Sequence, residues 1–250
     1  MNRKLFLQTL AFGGTALLAG RALGQNVPAP NTAPVKTGAL LPWARMRFRA
    51  RDQDDKDWGV HPHGDLNLID HLTLNTTLNL SRKWNVADVA KLEDLTAFPF
   101  IFMHGELPPV FTDAERANVR EYLLRGGFLF AEDCVIGQGN LGNNRHNDFF
   151  FRHMAETELA RILPEARLQR LERDHPIFHT VFDFKNGIPH MQGTPHGLHA
   201  LVLNGRIVAL LSPSDIHCGW TNGDQWFGRG ASTRALQMGA NVYAFAMTQP

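Results

Sequence analysis

Apolar and basic residues alternate from Arg45 to Arg49, a period of two that predicts a strand. An acidic, glycine-containing loop follows from Asp52 to Gly64. Leu66, Ile69 and Leu72 then recur at i, i+3 spacing, which predicts a helix with Asp65 as its cap. Leu78 to Leu80 reads as a short strand. Phe98 to Met103 is a continuous apolar run ending at His104-Gly105, the pattern of a strand buried on both faces. Thr112-Asp113-Ala114-Glu115 is a capping box. The helix it opens carries Val119, Tyr122 and Leu123 on one face, and Gly126 stops it. Phe128 to Ala131 is the next strand, so strand, capped helix, glycine and strand form a βαβ unit with parallel strands. Phe149 to Leu163 predicts a helix ending before Pro164. His199–Leu203 and Arg206–Leu211 flank Asn204-Gly205, a hairpin signal. Ser232 is the expected cap of a last helix containing Leu236, Gly239, Ala240, Tyr243 and Met247. The elements add up to an α/β fold, mostly parallel, with a late antiparallel hairpin.

The first residues follow a different pattern. Arg3 and Lys4 precede an apolar stretch, Leu5 to Ala19, that Thr9, Gly13, Gly14 and Thr15 interrupt. It is too short to span a bilayer, and Ala22-Leu23-Gly24 offers a small-x-small cleavage site. Residues 1–24 are therefore expected to be a signal peptide, and the mature chain to be exported to the periplasm of a bacterium or beyond. Asn2 to Gln8 is similar to a twin-arginine signal, with Lys4 in place of the second Arg and Gln8 in place of the Lys, so the twin-arginine export machinery is the expected partner. Residues 25–42 carry Pro28, Pro30, Pro34 and Pro42 among small and polar residues and read as an extended linker. A single α/β domain is expected over 43–248.

Composition narrows the function classes. A net charge of +1, with no long basic run, leaves nucleic-acid binding without an electrostatic footprint. Beyond the leader nothing approaches the roughly 20 apolar residues of a membrane helix. Cys134 and Cys218 are the two cysteines, and export to an oxidising compartment makes them a disulfide candidate.

Ligands bind outside the carboxyl ends of strands in open parallel sheets. Three loops leave apolar strands there and carry His104 and Glu106; Glu132, Asp133 and Cys134; and Ser212, Ser214, Asp215, His217, Cys218 and Trp220. If they share an edge, His104, Asp133, Asp215, His217 and Trp220 are the expected ligand-binding surface, with Asp133, Glu132 and His104 as candidate catalytic groups. Each also has a structural reading: Glu132 and Asp133 as acceptors of backbone N–H groups, His104 as a core histidine, Trp220 as a packing residue.

Other chemistries find less support. His61-Pro62-His63, with Asp57 nearby and His71 further on, offers a His-x-His pair for a metal, but H-E-x-x-H and C-x-x-C are absent. Gly137 to Gly142 lacks the G-K-[ST] ending of a phosphate loop and reads as a flexible loop. Ser212 and Ser214 are not in a G-x-S-x-G elbow. No motif names a cofactor.

Four ordered segments carry a family resemblance. Phe98 to Gly105 is similar to Y-P-F-L-Y-M-T-G, and Gly126 to Cys134 to G-G-F-L-x-A-D-D-C. Asp174-His175-Pro176-Ile177-Phe178 matches D-H-P-I-F, and Ser212 to Trp220 resembles S-P-x-D-x-x-C-G-W. These motifs resemble those of the domain of unknown function 4159 family, over about Trp43 to Thr248. The resemblance implies a three-layer sandwich similar to flavodoxin and to class I glutamine amidotransferases. It brings no activity: Cys134 is not in the G-x-C-x-G elbow of the amidotransferases. Glu132 stands where the family has Asp, His104 where it has Thr, and Val135 where a second Cys is common, which leaves Cys134 only Cys218 as a partner within the chain. The expected function is binding of a polar small molecule or glycan at the strand-end edge. The rivals are a hydrolase or transferase with Asp133 or Glu132 as general base, with or without a metal, and a non-catalytic scaffold.

Overall fold

The computed structural model describes residues 34–51, 57–135 and 148–249. The leader, residues 25–33 of the proline-rich linker and the glycine-rich stretch from Gly137 lie outside the described residues. Seven strands form one sheet in the order β2-β1-β3-β4-β7-β6-β5. They are β1 (Thr37–Arg47), β2 (Leu78–Asp88), β3 (Phe100–Gly105), β4 (Phe128–Asp133), β5 (Arg167–Arg170), β6 (His199–Leu203) and β7 (Arg206–Ser212). Neighbours from β2 through β1, β3 and β4 to β7 run parallel. Strand β6 runs antiparallel to both β7 and β5. Asn204 and Gly205 both have positive φ, 50° and 81°, as the two-residue hairpin between β6 and β7 requires.

Helices cover both faces. Helices α1 (Pro62–Asn75), α6 (Ile216–Phe227) and α7 (Ala231–Thr248) pack with Trp43, Phe100, Phe102, Phe128 and Phe130 on one face. On the other, α2 (Leu92–Thr96), α3 (Asp113–Leu124), α4 (Phe149–His153) and α5 (Leu159–Ile162) pack with Ala44, Met46, Ile101, Met103, Leu129 and Ala131. The period of two sends Phe100, Phe102 and His104 to the first face and their neighbours to the second. No helix among the described residues is long and apolar enough to cross a membrane.

Four local expectations need correction. Strand β1 begins at Thr37, inside the stretch read as linker, because Thr37 and Leu41 pair with Leu78 and Leu80. The short strand at Leu78 extends to Asp88 for the same reason: β1 supplies its ladder. The cap of α1 is His61 and not Asp65, since Pro62 fills the first helical position, where a missing N–H costs nothing. Helix α7 is capped at Gly230, so Ser232 lies inside it and exchanges two hydrogen bonds with Asp224 instead. The helix expected over Phe149–Leu163 forms, but a π-helical turn, Met154–Glu158, separates α4 from α5.

Two glycines bring layers together. A Cβ at Gly64 would lie 2.7 Å from Thr221 Oγ1 and 2.9 Å from His217 Nε2, so only glycine lets α1 approach α6 this closely. A Cβ at Gly239 would lie 2.8 Å from atoms of Leu68 and Trp220.

Candidate functional site

The carboxyl ends of β1, β3, β4 and β7 meet under the N-termini of α1 and α6. Arg45, Asp65, His104, Glu132, Ser212, Asp215 and His217 are there, each with no exposed surface. The register places His104 beside Glu132, and Glu132 beside Ser212.

Glu132 holds the start of α6. One carboxylate oxygen accepts from the Ser212 hydroxyl at 2.8 Å and the Ile216 N–H at 2.9 Å, and the other from the His217 N–H at 2.9 Å. Burial pushes this carboxyl well above the usual range, the Asp215 charge adds to the effect, and the donors oppose it. Both oxygens thus serve helix N–H groups that would otherwise be orphaned.

Asp133 belongs to the other layer. The residue after Glu132 must face the opposite side of the sheet, and its carboxylate accepts the Phe151 N–H of α4 at 2.8 Å. The structure therefore does not place Asp133 on the face that carries His104. Trp220 is also no open stacking surface. Its ring is 1% exposed, packs against Trp43 and Phe102, and its indole N–H donates to the Ala235 carbonyl at 2.9 Å.

Arg45 links the edge together. Its guanidinium lies 2.7 Å from Asp65, 2.8 Å from His217 Nε2 and 2.6 Å from the Val60 carbonyl. Burial raises the Asp65 carboxyl to about 6 against the pull of Arg45. Since Arg45 can only donate, His217 Nε2 accepts and its proton sits on Nδ1. Burial, His104 and Arg45 hold the His217 imidazole neutral, well below its ordinary pKa. The His217 and His104 rings lie 4.1 Å apart between centroids.

Among the described residues, His104 has neither an ion pair nor a hydrogen bond to hold it. Neither ring nitrogen has a hydrogen-bond partner among the described residues, although the side chain is wholly buried. Burial, with Arg45 and His61 adding to it, keeps its ring neutral. Asp215 caps α6 in the left-handed region, φ 54°, without a side-chain capping bond to the helix backbone. Its Oδ2 accepts from Gln192, while Oδ1 has no partner among the described residues. Burial, followed by the charge of Cys218, pushes this carboxyl well above its usual range.

Cys134 and Cys218 are free thiols whose sulfurs lie 3.8 Å apart. The contact with Cys218, burial and the neighbouring carboxylates push the Cys134 thiol up. Donor atoms of His104, Cys134 and Asp215 lie within 4.8 Å of one another.

The edge is closed. An open depression of about 410 Å³ lies on the α4 side, lined by Arg51, Leu107, Pro108, Phe149, Arg152 and His153. Another, about 540 Å³, is lined by Asp183 to His190 with Arg234 and Gln237. His104, Asp133, Asp215 and His217 are all wholly buried, at strand ends that the start of α6 covers.

His61 and His63 lie at the start of α1, with ring centroids 6.1 Å apart, and His61 contacts Trp226. Sequence reasoning missed Arg45, Asp65 and Gln192 as members of the centre. Arg45 carried a signal: a basic residue two positions after Trp43, on the same face of the strand as that ring.

No curated protein matches the chain in sequence. A family model, domain of unknown function (DUF4159), matches residues 44–247, which include all seven residues of the buried centre and both cysteines. The chain belongs to this family.

Proposed function

We propose that this chain is an exported bacterial protein that binds a small polar ligand at the carboxyl edge of its sheet. The observation that carries the reading is unsatisfied polarity in a dry place. Both nitrogens of His104, Nδ1 of His217 and Oδ1 of Asp215 are buried with no hydrogen-bond partner among the described residues. A buried donor or acceptor left unpaired costs about 1–3 kcal/mol, so a centre holding several of them is stabilised by whatever pairs them.

The strand order supports the same place. From β2 through β1, β3 and β4 to β7 it follows the 2-1-3-4-5 order of flavodoxin-like sheets, and this supports the wider kinship with class I glutamine amidotransferases. In such sheets ligands lie where the order reverses, between the first and third strands. Arg45 of β1 and His104 of β3 stand at that point. Closure favours a ligand of a few atoms over an extended glycan. Export rests on Arg3, Lys4, the interrupted apolar stretch and Ala22-Leu23-Gly24.

A hydrolase or transferase built on Glu132 or Asp133 has less support, because both carboxylates accept backbone N–H groups. A scaffold role is favoured by one observation, the closure of the edge. Thermal unfolding of the EDTA-treated chain against a panel of small acids, amides and polyols separates the two. A ligand that binds the native state raises the melting temperature by mass action. A shift that disappears in His104→Leu supports the site, and no shift with any compound supports the scaffold.

A further inference from the structure

The strand-end centre also has the composition of a metal site. It contains an imidazole from β3, a thiol just past β4, and a carboxylate and a second thiol from the first turn of α6, all buried. We propose that His104, Cys134, Asp215 and Cys218 bind one zinc ion. The inference rests on reading this edge as a ligand site and names the ligand.

Three independent features converge. The donor atoms of His104, Cys134 and Asp215 already lie within 4.8 Å of one another. Thiolates about 2.3 Å from a tetrahedral zinc stand about 3.8 Å apart, and the Cys134 and Cys218 sulfurs are separated by 3.8 Å. Lastly, the His104 ring is wholly buried with neither nitrogen engaged among the described residues, and it is held neutral, the form that ligates. Cys218 stands just outside this group and reaches it through its sulfur, 3.8 Å from that of Cys134. Sulfur, nitrogen and oxygen donors in a tetrahedral set suit zinc better than calcium or magnesium, which take oxygen.

The surroundings act as supports for such a set. Gln192 donates to Asp215 Oδ2 and to the Val135 carbonyl, which holds the carboxylate and leaves Oδ1 without a partner among the described residues. The His104 ring packs against both Phe102 and His217, which also touch each other. Metal ligands are commonly oriented by such outer contacts. On binding, the Cys134 and Cys218 thiols give their protons to solvent and each sulfur forms one bond to the ion. No electron is transferred. Oxidation by a disulfide-forming catalyst of the exterior would instead remove two electrons and two protons and join the sulfurs, so disulfide and ion exclude each other.

The test uses the full chain, reduced, stripped with EDTA, and dialysed against zinc or cobalt(II). The expected result is one ion per chain, a thiolate-to-cobalt charge-transfer band and the visible bands of tetrahedral cobalt. His104→Gln, Cys134→Ser and Asp215→Asn should each weaken binding by more than the roughly 10–100-fold that losing an outer support costs. The double variant His61→Ala/His63→Ala should bind as the parent does. Unfolding of every variant in EDTA separates a folding defect from a lost ligand, and the cobalt spectrum of the parent decides even if a variant does not fold. No bound ion in the reduced parent, an ion without thiolate bands, or binding lost only in the His61/His63 variant overturns the inference. If zinc fails while a small polar compound stabilises the EDTA-treated chain, the ion falls and the ligand site stands. If zinc binds and no compound does, the reverse holds.

Discussion

Glu132 shows how one side chain can be read in two ways until its partners are known. Its carboxylate accepts from two helix N–H groups and a hydroxyl, so Glu132→Ala strands all three. At about 1–3 kcal/mol for each unsatisfied buried donor, the variant should lose about 3 kcal/mol or more in urea unfolding. Asp133→Ala should lose about 1 kcal/mol, the worth of a helix cap, with little effect on the His104 centre. Arg45 and Asp65 make a different case. Asp65 titrates at about 6 in the fold, above the roughly 3.9 of an unfolded chain. Between these values the folded state holds the extra proton, so stability falls as pH rises from about 4 to 6. Asp65→Asn, which keeps an acceptor for Arg45, should flatten the melting temperature over that window. Arg45→Met should cost about 3–5 kcal/mol at neutral pH, because Asp65 loses its counter-charge and must take up a proton or stay buried uncompensated. Glu132 and Asp133 were legible in the sequence as strand-end residues, whereas Arg45 and Asp65 were not read as part of the centre. The partners of all four were not legible, since each partner arrives from a distant element.

Among the elements, α1 and α6 decide the shape of the centre, and a glycine sets their distance. Gly64→Ala places a methyl against Thr221 Oγ1 and His217 Nε2 and should destabilise by about 1–3 kcal/mol. It should also move His217 off Arg45, seen as a changed imidazole signal in NMR spectra. The capping box at Thr112, the glycine stop at Gly126 and the Asn204-Gly205 hairpin were all readable, because their chemistry lies within a few residues. The start of α1 was not: Pro62 competes with Asp65 for that end of the helix, and His61 takes the cap in the left-handed region. Strand β1 was underestimated because its first residues become a strand only through pairing with β2.

For the whole molecule, mass analysis of the N-terminus from intact cells should give a product starting just after Gly24, and a product retaining Met1 overturns export. Changing Arg3 and Lys4 to Gln should leave that product inside the cell if the twin-arginine route is used. The chain's apolar periods and turn residues were enough for an α/β fold with a mostly parallel sheet and a late hairpin, because these patterns follow local geometry. The order of ends also followed, since a βαβ unit brings His104 and Glu132 to one edge. Which of the edge residues share a face did not. A period of two separates Glu132 from Asp133, and the fold of α6 back over β7 buries the strand ends. The contact of Cys134 with Cys218, 84 positions apart, and the isolation of the His104 ring belong to packing between layers. No local pattern encodes them, because burial and the lack of a partner are properties of what surrounds a side chain in space.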